Sequence, residues 1–160
     1  MTAAEELVAA LRARGWTLGV AESLTGGSVA SEIVTVPGAS AALWGAVVAY
    51  ATPVKHTLLG VSADLLAEHG PVHPDVAVQM ADGVRRAVAV DGHPADVGIS
   101  TTGIAGPGSP DGQPVGTVHV GIVTPDTARA RAFVFGGTRD RIRAQARDAA
   151  ILLALEAVRE

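Results

Sequence analysis

The sequence predicts an α/β fold: a three-layer α/β/α sandwich on a mixed, mainly parallel sheet, in a single domain spanning residues 1–160. Three observations carry this. Helical and strand-like patterns alternate as far as Thr101, two strand patterns then follow each other directly, and a long helical pattern closes the chain. A chain of 160 residues fits one hydrophobic core. Hydrophobic residues at 48% against 18% charged ones are globular rather than disordered composition. No internal repeat, low-complexity segment or linker divides the chain.

The elements follow in order. Thr2-Ala-Ala-Glu5 is a capping box, Leu7, Val8 and Leu11 form a helical stripe, and Gly15 ends the first helix. Trp16–Ala21 reads as a short buried strand. Glu22–Gly27 is a turn, and Thr25 is positioned to cap a second helix over about 26–35. After the loop at Pro37-Gly38, Leu43–Tyr50 is a second apolar strand. Thr52-Pro53 opens a short helix that carries Lys55. Ser62 caps another, which ends at Gly70. Pro74 opens a longer helix to about Val90, with Val76, Met80, Val84 and Val88 at i+4 spacing. Asp96–Thr101 is a third strand, and Gly103–Pro114 a loop rich in glycine and proline. Val115–Thr124 and Ala128–Phe135 read as paired strands around the turn Thr124-Pro-Asp-Thr127. Thr138–Val158 is the closing helix, with Ile142, Ala146, Ala149 and Leu153 on one face.

Composition excludes several functions. The net charge is −4 and the arginines are scattered apart from a cluster at 139–147, so no basic stripe awaits a nucleic acid. Without cysteine there is no disulfide, thiolate catalysis or thiolate metal site. The acidic N-terminus has no signal-peptide core, and a cytoplasmic location is expected. The uncharged stretch Ile33–Val54 is broken by Pro37, Gly38, Gly45 and Pro53, and its continuous apolar part is too short for a membrane span. A metal site is not expected, because Gly70-Pro71 breaks any helix between His69 and His73. One bias is sharper. Lysine and arginine total 12, and only Lys55 is lysine. Arginine cannot serve as a base, whereas a buried lysine can. The other explanation is chance, since one lysine has to fall somewhere.

Three loops can carry chemistry. In Ala21-Glu-Ser-Leu-Thr-Gly-Gly27, the backbone N–H groups of Thr25, Gly26 and Gly27 suit a phosphate or a developing oxyanion, with Ser23 beside them. A plain helix cap with glycines for tight packing is the competing reading. Tyr50-Ala-Thr-Pro-Val-Lys55 leaves the second strand on the same rim if the two strands are neighbours. None of the five histidines sits in a Ser/His/Asp setting, so Lys55 is the better base for Ser23. Its pKa must then fall from about 10.4 towards 7–8. Tyr50 either donates to the oxyanion, relays the proton or simply ends a strand at the surface. Thr101–Gly108 allows close backbone approach to a ligand, and Thr102 offers a hydroxyl. Arg139 and Arg143 share a helix face and either hold a phosphate or line a solvated surface.

Taken together these loops resemble the CinA C-terminal domain family, which includes nicotinamide-nucleotide amidases. The matching segments are Ala21–Gly27, Tyr50 with Lys55, Gly103-Ile-Ala-Gly-Pro107, Pro114-Val-Gly-Thr117 and Gly137-Thr-Arg-Asp140. The resemblance implies deamidation of nicotinamide mononucleotide to nicotinic acid mononucleotide and ammonia, with neither metal nor cofactor. It implies Ser23 as nucleophile, Lys55 as base and Tyr50 as the assisting residue. Glu22, Thr25, Gly26, Gly27, Thr102, Gly103, Ala105, Gly106 and Arg139 would then hold the substrate. A homo-oligomer, dimer or higher, is implied too, as is the stand-alone form without the molybdopterin-binding-like domain of longer relatives. The chain departs from the pattern at Leu24, where many members have cysteine, and at Ala51-Thr52, usually Ser-Asn. It departs also at His73, often serine, and at Thr138, commonly aspartate. A nucleotide-binding module without catalysis, or an amidase for another substrate, is the alternative.

Overall fold

A computed structural model describes all 160 residues. In chain order the elements are α1 (Ala3–Arg14), β1 (Leu18–Glu22), α2 (Ser28–Val34), a 3-10 turn (Ala39–Ala41) and β2 (Leu43–Val48). Then come α3 (Thr52–Leu59), α4 (Ala63–His69), α5 (Pro74–Ala87), β3 (Val97–Gly103), β4 (Thr117–Val123), β5 (Ala128–Val134) and α6 (Arg139–Arg159). The predicted segments all form, with ends moved by a few residues.

The strands make one sheet in the order β2-β1-β3-β4-β5. β1 pairs in parallel with β2 and with β3, and the β3–β4 and β4–β5 pairs are antiparallel. Four strands therefore run one way and only β4 runs against them, the mixed and mainly parallel sheet that was expected. Helices α1, α2 and α6 cover one face, where Leu7, Leu11, Ile33, Ile142 and Leu153 meet Leu18, Val20, Ile99 and Ile122. Helices α3, α4 and α5 cover the other, around Leu59, Leu66, Val76, Met80 and Val84. No helix is long and apolar enough to cross a membrane.

Local chemistry accounts for most boundaries. The capping box at Thr2 and Glu5 forms, and Gly15 closes α1 in the left-handed region. The side chains of Ser62 and Thr138 cap α4 and α6. Pro74 opens α5 as expected, and the imidazole Nδ1 of His73 accepts the Asp75 N–H there. Thr25 is a correction: it does not cap α2, which begins at Ser28 behind Gly27. The carboxylate of Glu22 reaches the helix end first, and the Thr25 hydroxyl pairs with that of Thr101 instead.

Helix α5 sits unusually close to the sheet. Four of the five strands present a glycine to it: Gly45, Gly19, Gly98 and Gly121. A methyl group on Gly98 would lie 1.8 Å from the Ala81 carbonyl oxygen, and one on Gly121 2.2 Å from that of Ala77. Both obstacles are helix backbone, which cannot turn aside as a side chain can. Gly98→Ala is therefore expected to push α5 outward and to destabilise the fold by about 1–3 kcal/mol, read from the midpoint of urea unfolding.

Candidate active site

The two parallel pairs leave β1 between its neighbours, so the loops after β1, β2 and β3 share one rim of the sheet. Open α/β sheets bind their ligands at that rim. Ser23 directly follows β1 and is buried, with 8% of its surface exposed. Lys55 projects from α3 and is 1% exposed. Its Nζ lies 3.0 Å from the Ser23 Oγ. The same nitrogen donates to the carbonyl oxygens of Ala49 at 2.8 Å and Tyr50 at 3.2 Å, at the end of β2. Burial lowers the Lys55 pKa from the ordinary 10.5 to about 8, because a cation loses hydration there. Three acceptors match the three protons of an ammonium. In the neutral amine, two N–H bonds serve the carbonyls and the lone pair is left for the serine hydroxyl.

Ser23 is held from both sides. Its N–H donates to the Thr101 Oγ1 at 3.3 Å, and its carbonyl accepts the Gly26 N–H at 3.1 Å. The Glu22 carboxylate is fully enclosed and accepts three backbone N–H groups, from Gly27 at 3.1 Å, Val29 at 2.9 Å and Ala30 at 3.0 Å. It neutralises the positive end of α2 and ties the turn to the strand. Arg143 approaches from α6, with Nε 2.9 Å from the Leu24 carbonyl oxygen and Nη2 3.3 Å from that of Thr25.

Ser23 and Lys55 open into a cavity of about 450 Å³. Tyr50, Thr102, Gly103, Ala105, Gly106 and Arg139 line it with them. Glu22, Thr25, Gly26 and Gly27 do not. They sit behind Ser23, where they shape its turn. Tyr50 stands at the mouth, 58% exposed, and its hydroxyl accepts from Arg139 Nη2 at 3.2 Å. Arg139 Nη1 donates to the Gly106 carbonyl at 2.7 Å. The Thr102 hydroxyl donates to the Pro71 carbonyl at 2.7 Å and so draws the loop between α4 and α5 onto the site.

Sequence reasoning missed four contributions: Pro71 and Val72 in the wall, Asp111 at the rim, Thr101 behind the serine, and the role of Arg143. The i+4 spacing of Arg139 and Arg143 was visible, but only one of them faces the cavity. No group of three His, Asp or Glu side chains is arranged to hold a metal ion. Glu22→Gln tests the clamp. A glutamine turns an NH₂ donor towards backbone N–H groups that need acceptors, so a loss of about 1–3 kcal/mol is expected in urea unfolding.

Comparison with known proteins agrees with this architecture. The family model described as CinA C-terminal domain matches residues 1–158. A CinA-like protein of Frankia casuarinae is 45% identical over 146 residues, covering 91% of this chain and 32% of its own length. A CinA-like protein of Anaeromyxobacter is 48% identical over 144 residues, covering 89% of this chain and 34% of its own. The chain thus spans about a third of the length of these curated relatives. Among solved structures, a CinA superfamily protein of Klebsiella pneumoniae superposes with a TM-score of 0.91 at 30% identity, over 98% of this chain and 96% of that one. The competence/damage inducible protein CihA of Agrobacterium tumefaciens gives 0.88 at 29% identity, over 100% and 98%. A match along nearly the whole chain and a shared architecture lead to one conclusion: the chain belongs to the CinA C-terminal domain family.

Proposed function

We propose that the chain is an amidohydrolase that deamidates nicotinamide mononucleotide to nicotinic acid mononucleotide and ammonia. The observation that carries this reading is the buried Lys55 Nζ at 3.0 Å from the Ser23 Oγ. As a neutral amine, Lys55 takes the serine proton while Oγ attacks the carboxamide carbon. The resulting ammonium returns a proton to the amide nitrogen as the C–N bond breaks, and ammonia leaves. Water then hydrolyses the acyl-serine by the same proton route in reverse. The two carbonyls that anchor Nζ keep it aimed through both halves.

The substrate assignment draws on the family resemblance and on Arg139. Both hydrogen bonds of this guanidinium go to neutral oxygens, so its charge is free to meet an anion in the cavity. A cavity of about 450 Å³ has room for a mononucleotide. The backbone N–H groups of Ala105 and Gly106, which have no acceptor in the protein, offer further contacts.

Three outcomes are expected. Ammonia release should rise with pH through an apparent pKa of about 8 and then level, because the deprotonated amine is the active form. Ser23→Ala and Lys55→Arg should abolish it, and turnover retained by Lys55→Arg would refute the dyad. Arg139→Gln should raise KM for the nucleotide about tenfold or more and leave KM for the phosphate-free nucleoside unchanged. Steady-state assays with both compounds separate these outcomes.

A further inference from the structure

We infer that the backbone N–H of Leu24, rather than those of the glycines after it, donates to the oxygen that becomes anionic when Ser23 attacks. The inference rests on the amidase reading. It comes from the fate of each N–H in the turn. That of Ser23 is taken by Thr101, that of Gly26 by the Ser23 carbonyl, that of Gly27 by Glu22 and that of Ser28 by the Thr25 carbonyl. Only Leu24 and Thr25 keep an N–H without an acceptor in the protein. Thr25 is fully enclosed and lies outside the cavity wall, whereas Leu24 lines the cavity beside Ser23 and Lys55.

The direction of this N–H is held in place. In a trans peptide, N–H and C=O point opposite ways. The Ser23 carbonyl points to the Gly26 N–H, so the Leu24 N–H points away from it. On the other side of Leu24, Arg143 holds the carbonyl of residue 24 and then that of residue 25. Both peptide planes flanking Leu24 are thus fixed before substrate arrives, which lets a donor stabilise a developing charge without reorganising. Arg143 is a positioning residue in this arrangement, and so is Glu22, whose carboxylate removes the helix-end N–H groups from competition.

As the Oγ–C bond forms, the carbonyl π pair moves onto oxygen, the hydroxyl proton goes to Lys55 Nζ, and the Leu24 N–H donates to the new oxyanion. When the C–N bond breaks, the pair returns to re-form C=O and the Lys55 proton leaves with nitrogen.

The test is an amide-to-ester replacement, which swaps one N–H for an oxygen. Placed at position 24 with leucic acid, it should lower kcat for ammonia release by about 10²–10³ and leave KM within twofold. The unfolding midpoint should fall no further than in the control described next, because this N–H bonds nothing in the protein. The ester also weakens the Ser23 carbonyl as an acceptor, so glycolic acid at position 26 is the control. It breaks the same Gly26–Ser23 hydrogen bond, which orients that peptide, but keeps the Leu24 donor, so kcat should fall about tenfold at most, well short of the loss at 24. Wild-type kcat with the ester at 24, or equal losses at 24 and 26, would overturn the assignment. Arg143→Gln should lower kcat about tenfold at unchanged KM, with partial recovery in Arg143→Lys; full activity in Arg143→Gln would remove Arg143 from the argument. A wild-type chain that releases no ammonia sinks the amidase reading and the donor with it, whereas the ester results above sink the donor alone.

Discussion

An ammonium taken out of water must be given acceptors for all its protons or surrender one of them. Lys55 is held on that boundary. Two strand-end carbonyls and one hydroxyl surround it, all neutral, and no carboxylate stands within bonding distance of its nitrogen. A carboxylate there would hold the proton and keep the amine charged. Much of the local architecture can be understood as maintaining this condition. The carbonyls of Ala49 and Tyr50 are free to turn inward because β2 ends at Val48. Helix α3 starts at Thr52 and carries the lysine back over them within its first turn. The nearest buried carboxylate, Glu22, is occupied by three backbone donors on the far side of the turn.

The sheet order brings these parts together. β1 lies between β2 and β3, so the Ser23 turn, the lysine helix and the Thr102–Gly106 wall all rise from adjacent strand ends. Helix α5 packs on the row of strand glycines beneath and keeps the loop at Pro71-Val72 within reach of Thr102. From the opposite face, α6 supplies Arg139 to the cavity and, one turn later, Arg143 to the back of the serine turn. One helix therefore supplies one arginine to the ligand side and another to the scaffold.

Much of this was legible in the chain. Capping residues and hydrophobic periodicity located the elements, because those signals are local. The lone lysine and the glycine turn pointed to Lys55 and Ser23, whose side chains the fold brings within 3.0 Å of each other. Which N–H groups of the turn remain free was not legible. Thr25 reads as a helix cap, yet a carboxylate three residues earlier out-competes its hydroxyl, and Thr101, distant in sequence, pairs with it. Spacing places Arg139 and Arg143 on one face, but which of them meets the cavity depends on how α6 crosses the sheet. Such outcomes are decided by contacts between residues far apart in the chain, and periodicity carries no information about partners.

The solitary lysine has a consequence for chemistry done on the protein from outside. Every other cationic side chain except histidine is arginine, so no side-chain amine is displayed on the surface. Acylating labels, cross-linkers and aldehyde tethers that seek lysine find that side chain only at the bottom of the cavity. Reagents too bulky to enter will leave the side chains unmarked, whereas a small electrophile admitted by the pocket meets an amine already inclined to be neutral near pH 8. Apart from the α-amine of Met1, the exterior thus offers nothing to lysine chemistry, and one interior side-chain nitrogen is selectively vulnerable.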